Sequence, residues 1–419
     1  MFFRISSRDR KELMIKKQRF SLELICLAFF LVVGPIYWLP TVPGAVLLAA
    51  KAGGLALVLL FPYLGLRKEI YAVPPSLPLV IITALVFSAP PAVASLSFDF
   101  LNYFVISLFI VLGYSLAKYY KQEAVLDCLF YAVVGFSVFG FFVFVDFLFG
   151  GIFVNPIHET KLYLYQTGFH GGRTGWTGMC NLFLALALIG LLLNISGLKK
   201  ILLSVSVSIL LLNLLLVDSR GGLVTGIFVI LAYLFALGRD SKTKFVLLSI
   251  VFACFAIVFF YQFADRLLMS RTYLSLVAPE ELRSGITSGR MEGYLVALDL
   301  YMQAPLVGLG DVDMRDFGQE VEKIHNVWLR VLVEQGLFGF LGLLFFSFGI
   351  FYTLFRNSQH PWAVYIMLLV AGLLPTLFEP TGVFGNFFAT ALFWVAIGVF
   401  LSGNTDWLDL EAETTRNGY

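Results

Sequence analysis

The chain has 419 residues, of which 59% are hydrophobic, 16% aromatic and only 13% charged. A soluble domain averages about one quarter charged residues, so a water-soluble globular fold is excluded and most of the chain has lipid as its solvent. The formal net charge of +2 leaves no basic excess, and a nucleic-acid partner is excluded with it.

Residues 1–20, MFFRISSRDRKELMIKKQRF, are basic and run into an apolar stretch. That stretch is too long for the core of a cleaved signal, so a retained first span is expected. A span needs about 20 mostly apolar residues, and such runs number about twelve. They lie near 21–40, 44–65, 76–96, 100–118, 124–149, 177–196, 201–218, 222–238, 245–264, 337–355, 361–378 and 383–402. With the N-terminus in the cytoplasm, the N-tail and the turns at Arg67/Lys68, Lys118/Lys121, Lys199/Lys200, Arg239/Lys242/Lys244, Arg356 and Arg416 hold 18 of the 29 Lys and Arg. Positive charge gathers on the inner side of a membrane, so both termini are expected there. The predicted fold is an all-α polytopic membrane protein. Nine spans fill 1–264 around a short external loop at 150–176. A long external loop fills 265–336, three further spans fill 337–402, and a polar tail fills 403–419.

Cys26, Cys128, Cys180 and Cys254 sit in apolar segments without CxxC or Cys/His ligand spacing. They read as buried free thiols, and neither a disulfide nor a metal site is expected of them. Lys51 lies inside the second predicted span, where it is either functional or snorkels to the interface.

The loop at 265–336 is too long for a bare connector. Thr287-Ser288 offers a helix cap, and Arg290, Tyr294, Ala297 and Tyr301 share one helical face until Ala304-Pro305 stops the run. The turn Gly308-Leu309-Gly310, an acidic stretch and a second helix from His325 follow. A small helical cap on the outer face is predicted. With eleven acids against seven Lys and Arg, this loop is no general attractor of anions; individual arginines must do that work.

Arg290 falls in the first turn of the predicted cap helix, where a planar guanidinium and free backbone N–H groups suit phosphate oxygens. Its plainer role is a surface pair with Glu292 or Asp299. Arg220, in Asp218-Ser219-Arg220-Gly221-Gly222 between two predicted spans, either meets a ligand or snorkels and pairs with Asp218. Arg173 lies in Phe169-His170-Gly171-Gly172-Arg173-Thr174-Gly175-Trp176, just before a span carrying Asn181, in a setting able to hold a sugar phosphate. His158 and His170 carry no partner pattern, and His360 falls on the opposite side. Asp311-Val312-Asp313 spells a DxD, a common string whose place in an external acidic stretch argues against a metal-bound nucleotide sugar. No phosphate-binding P-loop string is present.

The segment from Ile324 to Gly339, IHNVWLRVLVEQGLFG, carries the most specific pattern. His325-Asn326, nine residues, Gly336, two residues and Gly339 resembles a signature of the O-antigen ligase and O-antigen polymerase superfamily. Ser219-Arg220-Gly221-Gly222 resembles a second motif of that superfamily. Arg290 followed by an apolar helix and Pro305-x-x-Gly308-x-Gly310 resembles a third, and the resemblance extends over roughly 160–400. It implies a GT-C-type glycosyltransferase of the bacterial inner membrane that works from the periplasmic side without cofactor or metal. The implied donor is a glycan on undecaprenyl diphosphate. A ligase moves O-antigen en bloc to the lipid A–core oligosaccharide; a polymerase moves a growing chain to another lipid-linked repeat. Membrane lipids are the remaining partner.

The chemistry fits these residues. A neutral imidazole near pH 7 can take the proton of an attacking hydroxyl, so His325 is the expected base. Arg220 and Arg290 are expected on the diphosphate, with Arg173 and Asn326 also binding substrate. Attack from the opposite face would invert the anomeric carbon. The short loop at 150–176 does not repeat the longer one, which favours ligase over polymerase. A secondary transporter is the alternative of another class, but its polar groups belong at the midplane and its halves often repeat; here they gather at the outer edge and no repeat is visible.

Overall fold

The computed structural model describes residues 24–36, 74–95, 101–120, 122–149, 173–193, 197–217, 219–240, 290–319, 323–356, 361–379, 382–384 and 387–402, together with a few residues between 45 and 56, the pairs 158–159 and 164–165, and residue 246. The predicted spans at 44–65 and 245–264 therefore fall largely outside the described residues, as do residues 265–289 and 320–322 of the long loop, the polar tail, His170 and His360.

The helices in chain order are α1 (Leu24–Val33), α2 (Leu77–Ser95), α3 (Leu101–Tyr120), α4 (Gln122–Leu148), α5 (Arg173–Leu192), α6 (Leu198–Leu216), α7 (Arg220–Asp240), α8 (Arg290–Gln303), α9 (Val327–Arg356), α10 (Trp362–Leu373) and α11 (Phe387–Leu401). A two-residue ladder pairs His158 with Tyr165 and Glu159 with Leu164; the other described residues form helices, 3₁₀ turns and connectors. Among the described residues, six helices, α2, α4, α5, α6, α7 and α9, are long and apolar enough to cross a membrane. Four shorter apolar helices accompany them: α1, parts of α3 and α11, and α10 together with the turn that follows it to Leu377.

The helix boundaries follow from local chemistry. Ser219 ends a short connector and accepts a hydrogen bond from the Gly222 amide at 3.3 Å, capping α7. Asn326 does the same for α9, its side-chain oxygen accepting from the Leu329 amide at 3.0 Å. Helix α5 is apolar on every side and accordingly enclosed: Phe183, Leu184, Ala185 and Ile189 are all buried. It packs against α6, α7 and α10. Helix α11 is likewise enclosed and lies along α3, while α9 lies along α2.

Polar groups tie the apolar helices together where the spans could otherwise slide. The Trp176 indole N–H donates to Asn213 Oδ1 at 3.1 Å, and Asn213 Nδ2 donates to the Gly140 carbonyl at 2.9 Å, linking α5, α6 and α4. Such bonds between helices are worth about 1 kcal/mol each in lipid.

The two ends of the bundle differ. Gln122 at the start of α4 donates to the Val399 carbonyl near the end of α11. Lys199 at the start of α6 pairs with Asp127 at 2.5 Å. Lys118 and Arg356 close α3 and α9. All of these lie at one end, away from the beginnings of α5, α7 and α9.

Candidate active site

Three helix starts and one turn meet at the other end. The turn is a 3₁₀ segment, Leu374–Leu377, that ends α10. Its Thr376 hydroxyl accepts a hydrogen bond from the Trp328 indole at 2.9 Å and donates to the Leu373 carbonyl at 2.5 Å. Trp328 is the second residue of α9, and its ring also meets Phe340 and Phe384 edge-on. The Tyr294 hydroxyl, on α8, donates to the His325 carbonyl at 2.8 Å, with the Leu377 carbonyl at 3.4 Å. Phe378 stands against Gly221, the second residue of α7, where a methyl group would come within 3.1 Å of the Phe378 side chain.

The start of α7 also touches α5. Asn181, fully buried, donates to the Gly222 carbonyl at 2.9 Å. A side chain at Gly222 would overlap that of Thr177, which is why the second glycine of the Ser-Arg-Gly-Gly string must lack one. Thr177 lies one turn into α5 from Arg173, and Tyr294 lies one turn into α8 from Arg290. A continuous set of contacts thus runs from the beginning of α5, through α7 and the 374–378 turn, to α8 and His325. Arg173, Arg220 and Arg290 are the first residues of α5, α7 and α8; their side chains lie outside the described residues. His325 is half-buried, and its Nδ1 is buried.

Asn326, expected to bind substrate, has a structural engagement: its side-chain oxygen caps α9. Its backbone carbonyl opens the helical ladder by accepting from the Arg330 amide at 2.8 Å.

Helix α8 and the segment after it share a small apolar cluster. Ala297 and Leu300 of α8 are buried with Val312, Met314, Ile324 and Val333, and Tyr294, Tyr301 and Leu329 pack around them. Helix α8 stops at Gln303, just before Ala304-Pro305. The turn beyond it is a clasp. Gly336 breaks α9 with φ 63° and ψ −166°, a conformation essentially restricted to glycine. A regular helix would bond the Leu337 and Phe338 amides to the Val333 and Glu334 carbonyls. Here the Leu337 amide donates to the Pro305 carbonyl at 2.8 Å and the Phe338 amide to the Leu306 carbonyl at 3.2 Å. The freed Val333 and Glu334 carbonyls accept from the Leu309 and Gly310 amides, both at 2.9 Å. Two rungs of the helix are exchanged for four bonds to the glycine turn, so no buried amide is orphaned. Gly308 and Gly310, at φ 76° and 82°, make the turn tight enough to reach.

An ion network braces the same piece. Arg330 donates to Glu334 at 2.8 Å, Lys323 stands 3.9 Å from Glu334, and Lys323 also pairs with Asp311. Asp313 accepts from the Arg315 amide at 2.9 Å and pairs with its guanidinium at 2.5 Å. Those hydrogen bonds hold the Asp313 carboxyl down at about 2. Each carboxylate of the DxD string is therefore engaged by a cation of its own chain.

Sequence spacing did not reveal Tyr294, Trp328, Thr376 and Phe378 as the residues joining these helix starts. The only advance signal was Trp or Tyr at a span end. The Asn213–Trp176 link was equally hidden, although an Asn within an apolar run was its mark.

Residues 205–344 match a family model described as O-antigen ligase. The matched stretch contains Arg220, Arg290, His325 and Asn326 and ends before reaching the 374–378 turn; Arg173 precedes it. No curated protein matches the chain.

Proposed function

We propose, from the match of residues 205–344 to the O-antigen ligase family model, that this chain is a member of the O-antigen ligase and polymerase superfamily and the ligase of the pair. It is an integral membrane protein of a family that transfers lipid-linked glycans in O-antigen assembly. In this reading it moves O-antigen en bloc from undecaprenyl diphosphate to the lipid A–core oligosaccharide at the periplasmic face of the inner membrane, with a GT-C-type architecture. The observation that carries the reading is that the starts of α7 and α8 and the segment at His325 and Trp328 gather at the 374–378 turn, with the start of α5 joined to them through α7.

The chemistry follows from that placement. A diphosphate is already a good leaving group, so the protein must supply a base and an electrostatic clamp. His325 takes the proton from the acceptor hydroxyl. The acceptor oxygen bonds to the anomeric carbon while the bond from that carbon to the diphosphate oxygen breaks. Undecaprenyl diphosphate departs with the electron pair, and the configuration inverts. Arg220 and Arg290, aided by Arg173, hold the developing charge. The partial positive charge at the capped start of α7 adds to theirs. Neither metal nor cofactor enters these steps. Asn326 serves by fixing the start of α9 and hence the backbone beside His325.

The basic ends of α3, α6 and α9 lie opposite the candidate site, which under the positive-inside rule supports a periplasmic site with both termini in the cytoplasm. Counted with the four shorter apolar helices and the predicted spans at 44–65 and 245–264, the six long helices give a proposed total of twelve.

The test is the lipopolysaccharide of a deletion strain. Loss of a ligase leaves lipid A–core bare while lipid-linked polymer accumulates. Cores bearing a single repeat would identify a polymerase instead, and unchanged lipopolysaccharide would remove the enzyme reading.

A further inference from the structure

Helix α8 is apolar on two opposite sides. One side, with Ala297 and Leu300, is buried in the core of the cap. The other carries Leu295, Leu298 and Met302, spaced three and four residues apart, and continues into Leu306. These four are 46–72% exposed, far more than the space-filling needs of a water-facing cap explain. Glu292, Asp299 and Gln303, all exposed, border the stripe along one edge.

The lower end of the stripe is fixed in space by the clasp. The carbonyls of Pro305 and Leu306 receive the amides of Leu337 and Phe338. Leu337 is itself exposed and is the first of a second stripe, Leu337, Phe345, Phe348, Tyr352 and Phe355, all exposed at helical spacing down α9. That stripe belongs to a helix long and apolar enough to cross a membrane, so it faces acyl chains. The two exposed stripes join at Leu306 and Leu337.

We propose that α8 lies on the outer surface of the bilayer, with Leu295, Leu298, Met302 and Leu306 immersed among the lipids where the lipid-facing stripe of α9 ends. The partner is the bilayer itself. Fourteen residues make a helix about 21 Å long. A helix with an apolar stripe bordered by charges rests about 5–10 Å into the headgroup–acyl boundary. The clasp then acts as the bracket that holds α8 at that height, and through Tyr294 it holds the His325 backbone at a set distance above the lipids. This placement stands whether or not His325 is the base.

The test uses the full chain in lipid nanodiscs, with single cysteines at Leu295, Leu298, Met302 and Leu306 carrying a nitroxide. Leu337→Cys is the lipid reference and Gln303→Cys the water reference. The signal of the labelled parent chain, whose Cys128 and Cys180 are buried, is subtracted. Collision rates with oxygen, which concentrates in lipid, are compared with those of a water-soluble nickel chelate. The stripe labels are expected to match Leu337 in favouring oxygen, with a ratio several-fold above that at Gln303. Ratios like that at Gln303 would mean the stripe faces water and would overturn the proposal. Low rates with both probes would mean protein covers it, and would overturn it equally. Because each label sits on an exposed position and is read separately, failure of one variant to fold leaves the other three decisive.

Discussion

Deleting the side chain of Asn326 removes the hydrogen bond to the Leu329 amide. Asn326→Ala should therefore lower stability by about 1 kcal/mol, measurable as a fall in the thermal midpoint of the detergent-solubilised protein. Asn326→Ser keeps a capping oxygen and should restore that midpoint. If Ser restores stability and transfer together, the residue is a cap; if stability returns without transfer, it also binds substrate, as its place beside His325 first suggests. Tyr294→Phe should cost a similar amount, about 1 kcal/mol for one hydrogen bond, because it releases the His325 carbonyl. Arg220→Lys and Arg290→Lys should each transfer poorly while inserting normally, since a point charge cannot reproduce a bidentate fork on phosphate; a transfer assay on purified variants checks this. At this scale much was legible. The residue types His, Asn and Arg in their motifs identified positions that the structure brings to one end. Illegible was the second engagement of each group, because capping depends on which backbone amide lies nearby, and that is set only when the helix starts.

The clasp between α8 and α9 gives the sharpest prediction for an element. A methyl group at Gly336 would stand 2.5 Å from the Leu306 carbonyl oxygen and 2.6 Å from the Gly308 amide nitrogen, at a φ of 63°. Gly336→Ala should destabilise by about 1–3 kcal/mol from backbone strain alone and loosen α8 from α9, read as faster hydrogen exchange at Leu309 and Gly310. Gly178→Ala, in α5 where nothing lies within 4 Å of an added methyl, should be neutral or stabilising by up to about 1 kcal/mol. Equal effects at the two sites would contradict the clasp. The extent of α8 was readable from its periodicity and from Ala304-Pro305, and the face shared by Tyr294, Ala297 and Tyr301 is the face that packs. Gly336 and Gly339 were readable as points of close approach. What approaches Gly336 was not, because the exchange of backbone bonds with residues 305–310 leaves no periodic trace. The sequence reading of a helix after His325 followed by a separate apolar span matches α9, which is two helices joined across the kink at Gly336.

For the whole molecule, composition was sufficient to place the chain in lipid, and the basic turns were sufficient to separate its two ends. Packing order was not legible, because α5 and α11 are apolar all round and uniform apolarity encodes no neighbour. The separation of the ends predicts a topology. Asp316→Cys, on the exposed surface of the cap, should label with an impermeant thiol reagent in cells whose outer membrane is permeabilised. Arg356→Cys, at the far end of α9, should label only after the inner membrane is broken. The reverse pattern would invert the protein and remove the periplasmic site. The account as a whole rests on His325 lying where the helix starts meet and acting as the base there. The measurement that addresses this most directly is glycan transfer from lipid-linked donor to lipid A–core by purified His325→Ala in lipid nanodiscs, beside donor binding by the same preparation. Loss of a general base typically costs about 10²–10⁴-fold, so transfer should fall by that factor with donor binding retained. Full transfer by a normally folded His325→Ala protein would contradict it.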